Sequence, residues 1–313
     1  MITKTVFAFD TVASITTYEA KDEPAAEKAL ASLAGYELLF SRTDPKSELY
    51  QLNAKAGTEV RVSDALFTVL ETAWNLSEAT DGAFDITLGA VSDLYGFGSE
   101  APRVPSAEEL AETLSHTGFT KIRLNPAEKT VLVTDPDLVI DLGAIAKGYV
   151  ADCLKSDLIH AGVRRALINL GGNVLLIGSK DGLLDPSAFT EASSKADGLF
   201  TIGIKDPDSE TPFLKLYLAG YSVVTSGTYE RSFLRDGTLY HHILDPKTGL
   251  PVWNDLLSVS IVTSNSCLAD ALSTACFVLG EARSRDLLKQ YGDITAIFID
   301  NDRGIRRLSF TTP

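Results

Sequence analysis

The chain has 313 residues, 45% of them hydrophobic, and carries 28 lysines and arginines against 42 aspartates and glutamates, a net charge of −14. That length and apolar fraction exclude a disordered chain and suit one large domain or two closely packed ones. The negative field excludes nucleic-acid backbones as principal partners. Cys153, Cys267 and Cys276 are odd in number and lack metal-ligand spacing, which excludes a disulfide framework and a zinc site.

No apolar run approaches the roughly 20 residues that span a bilayer. The opening Met1-Ile2-Thr3-Lys4 has no apolar signal core, so the literal sequence reads as cytoplasmic. A leader already removed would make the protein extracytoplasmic and membrane-associated.

Residues 5–18 alternate, contain β-branched residues and read as a first strand that follows Phe9-Asp10-Thr11. Residues 24–40 read as an amphipathic helix. A second helix starts near Ser63, repeats Leu66, Val69, Leu70, Ala73 and Leu76 at helical spacing, and ends at Asp81-Gly82. Ser106 and Glu109 form a capping-box pattern for a helix to about His116. Short strands are expected near 120–125, 130–134 and 138–141, with Asn125-Pro126 as a turn. A helix over 144–161 and strands near 165–170 and 173–178 follow.

Residues 180–198 have no periodicity and read as a surface excursion. Further strands are expected near 199–204, 213–218, 221–225, 238–243 and 257–263. A helix over 266–280, a short helix to about 291 and a closing strand pair near 294–310 end the chain. Short strands and helices without regular βαβ alternation indicate an α+β fold with mixed, largely antiparallel sheets.

The strongest chemical signal is Asp270, with Thr274 four residues later, inside the apolar run Ser266–Thr274. This spacing puts both on one helix face. A charge in such surroundings is costly unless paired or metal-bound, and an oxygen pair suits a hard cation such as Mg2+; the alternative is a polar stripe facing water. Asp141-Leu142-Gly143-Ala144-Ile145-Ala146-Lys147-Gly148 follows a strand and opens a helix, where N–H groups attract anions and Lys147 can reach a phosphate. It also reads as a plain turn with an acidic cap. Asn169-Leu170-Gly171-Gly172-Asn173 is a hairpin or a close ligand approach. His241 and His242 stand at a strand end before a Pro/Gly turn, a good place for a general base or for a structural histidine.

Five blocks in this order, Gly82–Gly98, Asp141–Gly148, Asn169–Asn173, Val224–Arg231 with His241–Gly249, and Ala269–Thr274, resemble the ApbE-type FAD:protein FMN transferases. The resemblance implies one unit over 1–313, or two intimately packed subdomains with the active site between them. It implies Mg2+-dependent transfer of the FMN half of FAD onto a Ser or Thr of an acceptor flavoprotein, one carrying a flavinylation sequon and belonging to an electron-transfer chain. By motif it places Asp270, Thr274 and the Ala144 carbonyl on the metal, and Ala83, Phe84, Asp85, Asp141 and Lys147 on FAD. The resemblance implies that His242 is the catalytic histidine, His241 being the alternative, and that Ile243 and Leu244 pack near the cofactor. Phe9 stands where many members have a Met that contacts the flavin, which makes it a cofactor contact by resemblance. Tyr95 stands where a Trp is frequent, which should preserve stacking, although core packing is the commoner role of aromatics in such loops. A Mg2+-dependent FAD pyrophosphatase and a non-catalytic FAD carrier are the alternatives.

Overall fold

Ile294, Ala296 and Phe298 alternate with Ile297 and Ile299, and both sets are buried, in two different clusters. A strand with two apolar faces must be covered on both. That requirement organises the fold. In the computed structural model, which describes residues 1–181, 188–191 and 197–311, the elements in chain order are β1 (Ile2–Ala8), β2 (Thr11–Thr17), α1 (Glu23–Phe40), α2 (Glu48–Asn53), β3 (Glu59–Arg61), α3 (Asp64–Ala79), α4 (Gly89–Tyr95), α5 (Ala107–Ser115), β4 (Ile122–Asn125) and β5 (Thr130–Val133). They continue as α6 (Ala146–His160), β6 (Ala166–Leu170), β7 (Asn173–Ile177), β8 (Ala188–Thr190), β9 (Phe200–Ile204), β10 (Leu214–Ala219), β11 (Ser222–Gly227), β12 (Ser232–Arg235), β13 (Thr238–His241), β14 (Leu256–Thr263), α7 (Ser266–Leu288), β15 (Ile294–Asp300) and β16 (Ile305–Phe310).

An eight-stranded antiparallel sheet, ordered β1-β2-β6-β7-β11-β14-β15-β16, forms the centre. One face packs on α1, α6 and α7. The other meets the small sheet β8-β10-β9 through Phe200, Ile202, Ile204, Leu216 and Leu218. A third sheet, β3-β5-β4, adds Ile122, Val131 and Val133 to the main core beside α3. This is the α+β architecture with largely antiparallel sheets that the element pattern implies.

Three expectations need correction. Residues 5–18 are not one strand but the ends of a hairpin, β1 and β2, turning at Phe9-Asp10, whose φ values are +53° and +56°. Positive φ at both residues of a two-residue turn is the type I′ geometry that Gly or Asn usually signals; here neither is present to mark it. Residues 138–141 form only an isolated bridge, Leu88 to Val139, because the partner backbone is a loop. The helix over 266–280 and the short helix after it form as expected, α7 being two helical segments joined at Gly280, where φ is +72°. Tyr95 is fully buried, so it offers no face for stacking on a ligand. Its hydroxyl instead donates to the Gly249 carbonyl at 2.9 Å. Of the 180–198 excursion, residues 182–187 and 192–196 lie outside the described residues, and β8 lies between them.

Candidate active site

The site grows from a contact between two helix starts. Helix α6 lacks a side-chain cap, and Gly148, its third residue, donates its N–H to Oδ2 of Asp270 at 2.8 Å. Asp270 lies one turn into α7. In return Asp152, on α6, accepts from the N–H groups of Ser266 (3.1 Å) and Cys267 (2.8 Å) at the start of α7. Each helix thus caps the other with a carboxylate, where the dipoles favour negative charge. The crossing is close because position 148 has no side chain: a Cβ there would meet the Ser266 carbonyl, the Asp270 Cβ at 2.7 Å and the Cys267 Cα at 2.8 Å.

The exchange leaves two groups free. The Gly148 N–H would otherwise close a helical bond to the Ala144 carbonyl, and that carbonyl receives no backbone hydrogen bond among the described residues. Asp270 is 6% exposed, yet it forms no ion pair, and no hydrogen bond reaches its Oδ1 among the described residues. Burial pushes its pKa up, with the charge of Lys147 and the Gly148 N–H acting against that rise.

Thr274 lies one turn beyond Asp270, partly buried, its hydroxyl 3.1 Å from that of Ser226 on β11. Ser226 also meets the Ser273 hydroxyl at 2.8 Å, so the sheet fixes this turn of α7. A carboxylate oxygen, a hydroxyl and a backbone carbonyl are hard donors of the kind Mg2+ takes. The residues present fit the ion that the motifs imply.

The Asp141 turn is held by residues to which the sequence reading assigned no role. Arg42 donates from Nε to Asp141 Oδ2 at 2.7 Å while its terminal nitrogens grip both oxygens of Asp93 at 2.9 and 2.7 Å. The Gly143 N–H occupies Asp141 Oδ1 at 2.7 Å. Asn53 clamps the Ile140 backbone by donating to its carbonyl (3.1 Å) and accepting from its N–H (3.0 Å). The segment Ser41–Asn53 therefore supports the site. Its only sequence signal was a long helix ending just before an Arg-Thr-Asp-Pro turn. Arg42→Met should leave Asp141 without its charged partner, a hydrogen bond of about 1.5–3 kcal/mol. The expected result is a urea-unfolding midpoint lowered by about that loss, measured against wild type.

Lys147 rests its Nζ on the Gly143 carbonyl at 3.0 Å. Its charge acts on both Asp270 and His242, which places these three in one field. His242 follows β13, its N–H bonded to the Arg231 carbonyl at 3.0 Å. Its Nδ1 is buried without a hydrogen-bond partner. Burial, assisted by the Arg231 charge, lowers its pKa to about 4. His241 is buried with Nε2 near the Val252 carbonyl at 3.2 Å, and its ring packs edge-on to Phe277. Its Nδ1, like that of His242, is buried without a hydrogen-bond partner.

The remaining motif positions occupy varied places. Asp85 spends both oxygens inside the protein, Oδ1 on the N–H and hydroxyl of Thr87 and Oδ2 on the Phe119 N–H; burial raises its pKa. Ala83 and Phe84 are buried beside it. This loop reaches the Asp141 turn through the Asp141 N–H to Ile86 carbonyl bond of 2.8 Å. Ile243 packs in the main core, and Leu244 packs with Val91, Tyr95 and Leu110. Phe9 sits at the β1–β2 turn, its N–H on Glu37 Oε1 at 2.8 Å. The neighbouring Gly171-Gly172 turn is also type I′, and a Cβ on Gly171 would strike the Thr11 side chain at 2.6 Å.

The described residues hold one cluster of three potential ligands of the His, Cys, Asp and Glu kinds, His116, Asp135 and Asp137. Lys121 already pairs with Asp135 at 2.7 Å and holds its carboxyl down at about 2. That cluster is an ion-pair network on the surface, and the hard-donor set at Asp270 is the better cation site.

The fold that carries this site is shared with solved ApbE structures. The ApbE protein of Thermotoga maritima superposes with a TM-score of 0.85 at 32% identity, covering 98% of this chain and 96% of that one. The flavinyl transferase ApbE of Pseudomonas stutzeri, in its apo form, gives 0.80 at 27% identity over 98% and 94% of the two chains. The sequence profile of the ApbE family matches residues 9–298. The FAD:protein FMN transferase of Treponema pallidum is 38% identical over 290 residues, 90% of this chain and 78% of that protein. The chain belongs to the ApbE family.

Proposed function

We propose that this protein transfers the FMN moiety of FAD to a serine or threonine hydroxyl of an acceptor protein, releasing AMP. The carrying observation is the Asp270–Gly148 bond, which sets a buried carboxylate and a freed carbonyl against the start of α6, where a helix N-terminus draws phosphate. The family and the names of its relatives support the same reading. Asp270, Thr274 and the Ala144 carbonyl would hold Mg2+, which when bound supplies Lewis-acid neutralisation of the pyrophosphate and of the departing AMP.

The chain's own residues do the rest. Arg42 and Asn53 fix the Asp141 turn that faces the dinucleotide, and Lys147 offers a point charge to its phosphates. The acceptor oxygen bonds to the FMN-side phosphorus as the bond from that phosphorus to the AMP oxygen breaks, and the hydroxyl proton passes to the His242 imidazole. An imidazole with a pKa of about 4 is neutral and able to accept that proton throughout the neutral range. The acid limb of kcat/KM, which reports the free enzyme, is therefore expected well below pH 6.5; a limb at 6.5 or above would contradict this role.

The reading is tested by chromatography of FAD reactions run with Mg2+, with and without acceptor. Transfer predicts AMP without matching free FMN when acceptor is present. Free FMN equal to AMP in both reactions would make the protein a pyrophosphatase, and unchanged FAD would make it a carrier.

A further inference from the structure

Strands β12 and β13 pair with each other and with no other strand among the described residues. A lone two-stranded ribbon is marginal in water, and this one is fastened by one face only. On that face Phe233 stacks on Tyr240 at 5.5 Å, and the pair packs against Phe97 (5.8 Å) and Tyr95 (6.4 Å). The other face carries Leu234 and Leu239, which are direct cross-strand partners. They are 72% and 38% exposed. Trp253, 55% exposed, stands at the edge of the ribbon, its Nε1 donating to the Leu239 carbonyl at 3.3 Å and its ring edge-on to Tyr240 at 5.7 Å. Arg231 and Arg235 stand exposed at the ends of β12, cations on a chain of charge −14.

We infer that the Leu234–Leu239 face, with Trp253 at its edge, is the docking surface for the acceptor protein, which lays a small apolar patch on it within the Arg231–Arg235 rim. The inference rests on the transferase reading above, because only a protein acceptor needs such a seat. Two observations select this occupant. The ribbon is continuous with the site: β13 ends at His241, and the Arg231 carbonyl that precedes β12 holds the His242 N–H at 3.0 Å. At about 3.3 Å per residue, a protein seated on Leu239 lies roughly 10 Å along the strand from His242. The size of the patch also fits. Three side chains expose on the order of a few hundred Å², short of the roughly 800 Å² per partner that a stable dimer buries but suited to a substrate that must leave.

The test is steady-state flavin transfer by Leu234→Asp, with Ile159→Asp as a control at an exposed apolar residue of α6. For Leu234→Asp the acceptor KM is expected to rise about tenfold or more, with kcat at saturating acceptor and the Kd for FAD unchanged; the control should match wild type. An unchanged acceptor KM in Leu234→Asp would overturn the inference. So would a wild-type dimer in sedimentation that Leu234→Asp dissociates while transfer is unaffected, which would assign the face to self-association. A wild-type protein that transfers no flavin would overturn the function itself, before any variant is compared.

Discussion

Replacing Asp270 by alanine is expected to lower flavin transfer by roughly three or more powers of ten, because the proposed Mg2+ site would lose its single carboxylate donor and several kcal/mol of charge stabilisation with it. Asp270→Asn separates chemistry from folding. Burial raises the pKa of Asp270 above that of the unfolded chain. Its stability contribution is therefore full below the unfolded carboxylate value of 3.8 and is lost as pH rises through the folded value. At neutral pH the metal-free wild type carries this cost, so the asparagine variant should be at least as stable as wild type.

Adding Mg2+ should reverse the order. At a hundredfold excess over Kd, binding stabilises by about 2.7 kcal/mol, which moves Tm by roughly 5 °C in a chain of this size. Differential scanning calorimetry with and without Mg2+ checks both halves. A Mg2+ shift that survives in Asp270→Asn would remove this residue from the metal site.

The second large effect is expected at Gly148. A methyl group there meets the Ser266 carbonyl, the Asp270 Cβ and the Cys267 Cα, none of which is the yielding end of a flexible side chain. Helices α6 and α7 must separate. Overpacking of this kind costs about 1–3 kcal/mol, and the separation also breaks the Gly148–Asp270 bond and restores the Ala144 carbonyl to its helix. Gly148→Ala should therefore lose transfer activity out of proportion to its stability, with the midpoint of urea unfolding lowered modestly. A variant with unchanged Mg2+ affinity, measured by titration calorimetry, would show that the close crossing does not set the donor geometry.

Local order was readable wherever one residue type dictates one conformation. The capping box of Ser106 and Glu109 forms, and the apolar spacing from Leu66 to Leu76 is buried as a helix face. The Gly171-Gly172 hairpin could be placed because glycine marks positive φ. The hairpin at Phe9-Asp10 was hidden for the converse reason, since no glycine marks its turn. In the site, Asp270 and Thr274 stood out because a polar pair at helical spacing interrupts an apolar run.

What could not be read was reciprocity across the chain. Arg42 and Asp141 are 99 residues apart, and the bond from Asp152 on α6 to the start of α7 spans 115 residues. Such contacts follow from how helices cross, and no local pattern encodes a crossing. The role of Tyr95 failed for the same reason: an aromatic in a loop looks available to a ring until the fold packs α4 against the Asp245–Gly249 turn.

The most direct measurement is intact-mass spectrometry of an acceptor domain carrying a flavinylation sequon, after incubation with this protein, FAD and Mg2+. The account predicts an acceptor heavier by one FMN, with the adduct mapping to a single serine or threonine and absent when His242→Gln replaces the wild type. An acceptor of unchanged mass, with FMN accumulating free in solution, would contradict it.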